Sequence, residues 1–339
     1  MASVHRTYHT LSVTTALLTV LAVVTIGFLI STQPPIITER QQPLLRKVSR
    51  TEYTIPYCDR QRQQAVDLYL PYRYPQEDAA KTANPLVIYV HGGGWSTGDK
   101  HNAIADYYGA QFVAHGIAFA SVNYRLAPAA HYPAQNDDVA CAISTLASRA
   151  DQYMVDPSRV LLFGDSAGSL LTSMYALTTE RPPVGIKGVI SFYGTSDLVY
   201  QLSRPRSPNR NAANYLGSTD LTLARRASPV YQPVTAATPP YIFFHGDKDM
   251  VVTREQAYSL YRRIRTVQPS SRFVTVKKAG HAFTQKTTPT AADIREIMLE
   301  FAMNRLGTTD DERRTTTTPS LLDPASSSHQ ASPLIIPVR

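Results

Sequence analysis

The sequence predicts a doubly wound, mostly parallel α/β sheet with helices on both faces. Short, largely apolar runs rich in β-forming residues recur along its middle, and segments with helical spacing stand between them. Continuous apolar runs of this length are typical of strands that are covered on both faces, as in a parallel sheet. Regular alternation of strand and helix favours one domain, which we place at residues 51–306.

Six of the predicted strands are parallel. They are Leu86–Val90, Ile117–Val122, Val160–Phe163, Val189–Phe192, Tyr241–Phe244 and Phe273–Val276. Two segments ahead of them, Glu52–Ile55 and Ala65–Leu70, predict an antiparallel pair at one edge of the sheet.

Apolar residues at helical spacing predict the helices between these strands. One helical face contains Val139, Ile143, Leu146 and Ala150, and another contains Ile294, Ile297, Met298 and Phe301. The run Leu170–Leu177 predicts a further helix. Thr290 and Asp293 have the spacing of a capping box, and Gly307 stands just past the end of the last helix.

Composition excludes several classes of protein. Apolar residues make up 43% of the 339 residues and charged residues 18%, so the chain is not mostly disordered. Cys58 and Cys141 are too few for a disulfide-dense scaffold or a multi-cysteine zinc module. The net charge of +8 is spread along the chain without a nucleic-acid-binding motif, so we expect no nucleic-acid partner.

The N-terminal segment Leu11–Ile30 contains no charged residue. Twenty helical residues at ~1.5 Å each would cross a ~30 Å hydrocarbon core, so residues 1–31 predict a transmembrane anchor of a single-pass membrane protein. A cleaved signal peptide, which would make the protein secreted, is the alternative. Basic residues follow the segment, and by the positive-inside rule they favour a cytoplasmic catalytic domain.

Two segments flank the predicted domain. Residues 32–50 are predicted to be a linker. Residues 307–339 are rich in Thr, Ser and Pro and contain few aliphatic residues. Such a segment buries too little apolar area to offset its ordering entropy, which predicts a disordered tail.

The sequence from Gly164 to Gly168 fits the pattern G-x-S-x-G, with a predicted strand before it and a predicted helix after it. In that context the pattern predicts a sharp, strained turn that points the hydroxyl of Ser166 out of the sheet. Ser166 is therefore the predicted nucleophile. The alternative is an ordinary glycine-containing loop between a strand and a helix.

A second glycine-rich segment, His91-Gly92-Gly93-Gly94-Trp95, follows another predicted strand. The backbone N–H groups of Gly93 and Gly94, together with that of Ala167, predict an oxyanion hole. Trp95 is predicted to line the substrate pocket, and His91 to hold the loop in place. The alternatives are a flexible turn and a phosphate-binding loop, although the phosphate-loop motifs are absent.

An acid and a base are predicted after the last two strands, in the order serine, aspartate, histidine. His281 follows a glycine where the last strand ends, which suits a general base. Asp249 and Asp247 compete for the role of the acid. Asp249 lies further into its loop and is preferred, whereas Asp247 is predicted to cap the turn.

Six segments together resemble the α/β-hydrolase superfamily, specifically esterases and lipases that contain HGGGW. They are His91–Lys100, Val122–Pro128, Tyr132–Asp138, Val160–Gly168, Ala227–Val230 and His245–Val252. The form HGDKDMVV resembles the feruloyl- and acetyl-esterase-like (BD-FAE-like) branch, which is related to hormone-sensitive-lipase-like esterases. The chain departs from the latter at Ser169, where that branch has glycine, and has no room for its large N-terminal cap.

The triad chemistry and the resemblance imply a serine carboxylesterase that acts on small or medium esters without a metal or cofactor. Three alternatives stay open: an amidase of the kynurenine-formamidase type, a membrane esterase similar to prenylcysteine methylesterase or arylacetamide deacetylase, and a non-catalytic hydrolase-fold protein. The resemblance also implies structural roles for Asn123, Tyr124, Arg125 and Asp138. The insertion Thr195–Thr238 is interpreted as a small lid or as a surface loop. The oligomeric state is not predicted.

Overall fold

The computed structural model describes residues 44–59, 63–71, 83–203, 210–283 and 287–308. The predicted anchor lies outside these residues, as does the predicted tail after Thr308. The predicted linker ends earlier than expected, because helix α1 (Leu44–Val48) buries Leu45 and the first strand begins at Ser49. Within the described ranges, no helix has both the length and the apolar character needed to cross a membrane.

Eight strands form one sheet in the order β1-β2-β4-β3-β5-β6-β7-β8. Their bounds are β1 Ser49–Pro56, β2 Ala65–Pro71, β3 Asn84–Val90, β4 Ala118–Val122, β5 Val155–Asp165, β6 Ile186–Phe192, β7 Tyr241–Gly246 and β8 Arg272–Val276. β1 pairs antiparallel with β2 and β2 with β4, and every other neighbouring pair is parallel. The predicted mostly parallel sheet with an antiparallel edge is confirmed.

The remaining described helices lie between and after the strands. They are α2 Ala103–Ala114, α3 Ala134–Ser148, α4 Ala150–Tyr153, α5 Ala167–Thr178, α6 Leu198–Ser203, α7 Arg210–Leu216, α8 Leu221–Arg226, α9 Arg254–Arg265 and α10 Ala291–Leu306. Short 3₁₀ turns occupy Pro229–Tyr231 and His281–Phe283. One prediction differs in detail: Ala150 begins the separate helix α4, because the backbone leaves the helical path at Arg149.

Helices cover both faces of the sheet, as predicted. One buried cluster joins the strands to α3, α5 and α9 through side chains such as Ile143, Leu171 and Leu260. The other joins them to α2 and α10 through Phe112 and Met298. Burying one large apolar side chain contributes about 1.5–3 kcal/mol, so the two clusters supply most of the driving force that fixes the sheet.

Local signals at the ends of α10 agree with the sequence. The Thr290 side chain accepts the N–H of Asp293, and the Asp293 carboxylate accepts the N–H of Thr290 at 2.8 Å. At the other end Gly307 is left-handed, and its N–H donates to the carbonyl of Met303. The predicted capping box and C-terminal glycine are both confirmed.

The segment Asn123–Arg125 and Asp138 connect the sheet to α3. The Arg125 guanidinium binds the buried Asp138 carboxylate with two nitrogens, at 2.7–3.0 Å. Cys58, in the turn after β1, forms a disulfide with Cys141 of α3, 83 residues away. These contacts fix α3 against the antiparallel edge of the sheet.

Candidate active site

Ser166 occupies the turn between β5 and α5 with a positive φ of 48° and a ψ of −115°. A non-glycine residue in this region is strained, and such strain is concentrated at functional positions. A Cβ at Gly168 would overlap the carbonyl oxygen of Val90, and one at Gly164 would overlap the backbone of Gly168. The two glycines of the motif are therefore required by close backbone approach, which holds the serine turn against the sheet.

The loops after β5, β7 and β8 bring Ser166, Asp249 and His281 together. His281 Nε2 lies 3.0 Å from Ser166 Oγ, and His281 Nδ1 lies 2.7 Å from Asp249 Oδ2. Because the carboxylate accepts the Nδ1–H, the lone pair of Nε2 is left to accept the serine hydroxyl. The three predicted residues thus form one continuous chain of hydrogen bonds.

The two candidate aspartates occupy different environments. The Asp249 side chain is fully buried, and its Oδ1 accepts the N–H groups of Val251 and Val252 at 2.9 Å. Burial opposes its ionisation, but hydrogen bonds from His245 and His281 outweigh burial and lower the pKa of Asp249 to about 2. Asp247 is exposed, and its carboxylate caps the turn by accepting the N–H of Lys278 at 2.7 Å.

His245 is a second histidine on Asp249 that the sequence reasoning did not select. It lies near the end of β7, its side chain is fully buried, and its Nε2 is 3.3 Å from Asp249 Oδ2. The same nitrogen lies 2.8 Å from the carbonyl oxygen of Val252. Its position four residues before the acid is the one sequence signal that could have indicated this contact.

Asp165 links the glycine-rich loop to the serine turn. Its carboxylate accepts the N–H of Gly92 at 2.8 Å and the hydroxyl of Tyr89 at 2.6 Å. Burial raises the pKa of Asp165, and these two hydrogen bonds oppose that rise. The loop then continues through Gly93 and Gly94 with φ of +107° and +59°, a backbone conformation that glycine adopts without strain.

Three backbone donors remain free beside this turn. No hydrogen bond within the described part of the chain uses the N–H of Gly93, Gly94 or Ala167. Ala167 is the first residue of α5, where N–H groups have no partner within the helix. The predicted oxyanion donors thus have no hydrogen-bond partner among the described residues, and their role stays a prediction.

His91 is part of the support of the loop. Its ring stacks on that of Tyr124 with 4.4 Å between centroids, and its Nδ1 lies 2.7 Å from the carbonyl oxygen of Gly92. Burial lowers the pKa of His91 to about 4, so the ring is neutral at pH 7. The Tyr124 hydroxyl donates to the carbonyl of His91 at 3.0 Å. His91 thus has the structural role that was predicted for it.

Trp95, which is predicted to line the substrate pocket, is almost entirely covered by other residues. It is 2% exposed, and its ring stacks on Tyr215 of α7 at 4.5 Å between centroids. The insertion buries the tryptophan because α7 is docked over it: Tyr132 donates its N–H to the carbonyl of Tyr215 at 2.7 Å. The ring of Trp95 therefore fixes the glycine-rich loop to helix α7.

The insertion itself is a packed layer. In its described part, helices α6, α7 and α8 each bury an apolar side chain, namely Leu198, Ala212 and Ala224. Asn211 of α7 touches the position that a Cβ of Gly94 would occupy, so this layer reaches the glycine-rich loop. The described residues of the insertion are therefore packed onto the domain, and its role as a lid stays a prediction.

A sheet of this order, with a serine turn after its fifth strand and an acid and a histidine on later loops, has the architecture of the α/β-hydrolase fold. The family model BD-FAE matches residues 66–264, more than half of the chain. The chain belongs to the BD-FAE family, which confirms the predicted resemblance.

Curated relatives include several esterases. Esterase LipC of Mycobacterium tuberculosis is 29% identical over 243 residues, which are 64% of this chain and 58% of LipC. Probable carboxylic ester hydrolase LipM of the same organism is 27% identical over 211 residues, 58% of this chain and 48% of LipM. Arylacetamide deacetylase of Bos taurus is 35% identical over 123 residues, 34% of this chain and 30% of that protein. The alignments thus span between 30% and 58% of these three relatives.

Solved structures share the fold. A truncated carbohydrate esterase from gut microbiota has a TM-score of 0.65 at 22% identity, covering 77% of this chain and 98% of that one. The esterase of Pyrobaculum calidifontis has a TM-score of 0.61 at 22% identity, covering 78% and 88%. At this identity the likeness shows a common fold.

Proposed function

We propose that this protein is a serine carboxylesterase that hydrolyses small or medium carboxylic esters through an acyl-enzyme. The single observation that supports it most is the hydrogen-bond chain from Asp249 through His281 to Ser166. Membership of the BD-FAE family and the esterase names of its relatives agree with this proposal.

Acylation begins with attack of Ser166 Oγ on the ester carbonyl. His281 Nε2 takes the hydroxyl proton, since it already lies 3.0 Å from Oγ. Asp249 holds the imidazole in the tautomer with a proton on Nδ1 and stabilises the imidazolium that forms. The free N–H groups of Gly93 and Ala167 then stabilise the oxyanion of the tetrahedral intermediate.

Collapse of this intermediate breaks the bond to the alcohol, and His281 returns the proton to the leaving oxygen. In the second half, His281 removes a proton from water as its oxygen attacks the acyl-enzyme. His281 then returns the proton to Ser166 Oγ as the bond to serine breaks and the acid is released. Neither half requires a metal or a cofactor. Gly94 is the third proposed oxyanion donor, and the insertion helix α7 beside it is proposed to limit the size of the acyl or alcohol group.

Active-site labelling with a fluorophosphonate, followed by hydrolysis of nitrophenyl esters of increasing acyl length, tests this proposal. We expect labelling at Ser166 and the highest kcat/KM for short or medium acyl chains. Ser166→Ala should abolish labelling and lower kcat by up to ~10⁶. Labelling of another serine, or turnover of formyl-kynurenine without turnover of esters, would overturn the proposal and favour an amidase.

We also propose that Leu11–Ile30 anchors the protein in a membrane, a segment outside the described residues. Its length and lack of charge support this proposal. The full chain should stay in the membrane pellet through carbonate and high-salt washes. A chain that begins at Pro43 should be released and active, because it keeps α1. Release of the full chain by salt, or a secreted form that starts after residue 31, would contradict the anchor.

A further inference from the structure

The side chain of His245 is fully buried, and among the described residues its polar contacts are with Asp249 and the carbonyl of Val252. It precedes Asp249 by four residues, across the turn that follows β7. Its Nδ1 has no hydrogen-bond partner among the described residues. All of its polar contacts therefore pass through Nε2.

The partners of Nε2 fix the proton on that nitrogen. The carbonyl oxygen of Val252, 2.8 Å away, is only an acceptor, so Nε2 must donate. The same N–H lies 3.3 Å from Asp249 Oδ2, the oxygen that also accepts from His281. The single N–H of His245 Nε2 thus faces two acceptors, the carbonyl oxygen of Val252 and the carboxylate of Asp249.

We propose that His245 is a positioning residue for the acid of the triad, an inference that rests on the proposed serine-esterase function. Its N–H ties Val252 to the end of β7 and orients Oδ2 of Asp249 toward His281. The N–H groups of Val251 and Val252 hold the other carboxylate oxygen. Loss of the His245 donor leaves Oδ1 held and lets Oδ2 turn away from the imidazole.

This geometry predicts an effect on kcat rather than on KM. His245 is separated from the serine by Asp249 and His281, so substrate binding should not change. A displacement of about 1 Å in a catalytic group can lower the rate about 10²-fold. We therefore expect a 10- to 100-fold loss of kcat with KM within about twofold of wild type.

The test compares three variants of the full chain. His245→Phe keeps the ring and removes both nitrogens. His245→Asn has an amide too short to reach the place of Nε2. His245→Gln places an amide N–H near that point. Titration with a fluorophosphonate gives kcat per reactive serine in the His245 variants. Ser166→Ala, which has no such serine, and Asp249→Asn are measured in parallel at equal protein concentration.

We expect His245→Phe and His245→Asn to lose 10- to 100-fold in kcat, and His245→Gln to recover to within about threefold of wild type. Wild-type kcat in the Phe or Asn variant would overturn the positioning role. Equal losses in all three would overturn it as well, because packing rather than the donor would then matter. An active Ser166→Ala or Asp249→Asn would instead refute the triad itself.

A second inference follows from the disulfide between Cys58 and Cys141. Their Cα atoms are 6.1 Å apart, within the range of natural disulfides. Other contacts place the two segments together independently of the bond. The hydroxyl of Tyr57 donates to the carbonyl of Asn123, and the Gln64 amide donates to Asp138 of α3 at 2.9 Å.

We infer that the hydrolase domain resides in an oxidising compartment, in the lumen of the secretory route or outside the cell. The two thiols there lose two protons and two electrons to the disulfide of a thiol-oxidising protein, which becomes a dithiol. Disulfides persist in such compartments and are rare in the cytosol. The domain would then lie on the side of the membrane opposite to the one that the charges after Leu11–Ile30 favour.

Thiol trapping in the source cells tests this inference. The full chain is denatured in N-ethylmaleimide, then reduced and labelled with a heavier maleimide, and Cys58→Ser/Cys141→Ser is the unlabelled control. We expect both cysteines to react only after reduction, and the domain to resist protease in sealed vesicles. Reaction of both cysteines before reduction, or digestion in sealed vesicles, would overturn it. Neither outcome depends on esterase activity.

Discussion

Replacing Asp249 by asparagine changes one polar atom in the hydrogen-bond chain and inverts the role of the imidazole. One amide oxygen can still accept the N–H groups of Val251 and Val252. The amide NH₂ then lies where Oδ2 was, 2.7 Å from His281 Nδ1. The His245 N–H, 3.3 Å from the same point, keeps the carbonyl oxygen of Val252 as its acceptor. Because two donors cannot face each other, Nδ1 must accept and the proton moves to Nε2.

A proton on Nε2 points at Ser166 Oγ, 3.0 Å away, and the ring can no longer act as its base. This wrong tautomer lowers kcat by about 10⁴ in triads of this kind, equal to ~5.4 kcal/mol of transition-state stabilisation. We therefore expect Asp249→Asn to lose about 10⁴ in kcat on a nitrophenyl ester, with an unchanged near-UV spectrum.

Asp247→Asn is the matched control, since it makes the same chemical change two residues away. Its side-chain oxygen can still accept the N–H of Lys278, so the turn stays capped. An exposed substitution of this kind changes energies by within ±0.5 kcal/mol, which corresponds to about twofold in rate. Equal losses in the two variants, or a larger loss in Asp247→Asn, would refute the choice of acid.

Three further outcomes are expected. Gly168→Ala should lower the free energy of unfolding by more than ~1 kcal/mol, because its methyl group would overlap the carbonyl of Val90, and chemical denaturation measures this. Arg125→Lys should cost ~1–3 kcal/mol in the same assay, since lysine cannot bind Asp138 with two nitrogens, and an unchanged midpoint would contradict the role of this pair. Folding lowers the pKa of Asp249 to about 2, from an unfolded value near 3.9. The ionised carboxylate therefore stabilises the fold above pH 4, and this stabilisation is lost as the pH falls through 2. Between pH 4 and pH 2, the free energy of unfolding of wild type should fall by on the order of 2 kcal/mol more than that of Asp249→Asn.

The sequence by itself determined the features that depend on neighbouring residues. The serine turn follows from glycines on either side of Ser166 between a strand and a helix, all within a few residues. The caps at Thr290 and Gly307 depend only on neighbouring residues as well. Apolar runs located the parallel strands because strands covered on both faces show their burial in composition alone.

Helix α2 is an element that the pattern of apolar residues did not predict. Its buried residues run continuously from Tyr108 to Val113 around the helix, so no single apolar stripe marks it. Position within the loop after β7 ranked Asp249 above Asp247, yet the contact of His281 with Ser166 joins residues 115 apart. Such a contact depends on the relative placement of three loops.

Only the tertiary structure decided the surroundings of the site. Trp95 is buried because α7, more than a hundred residues later, docks Tyr215 on its ring. His245 contacts Asp249 because the turn after β7 folds back on the strand, and Cys58 meets Cys141 through the packing of the sheet edge on α3. Tryptophan, histidine and cysteine occur in many structural settings, so residue type alone does not predict these contacts. The contacts depend on the distance between side chains and on their orientation, which only the folded chain defines.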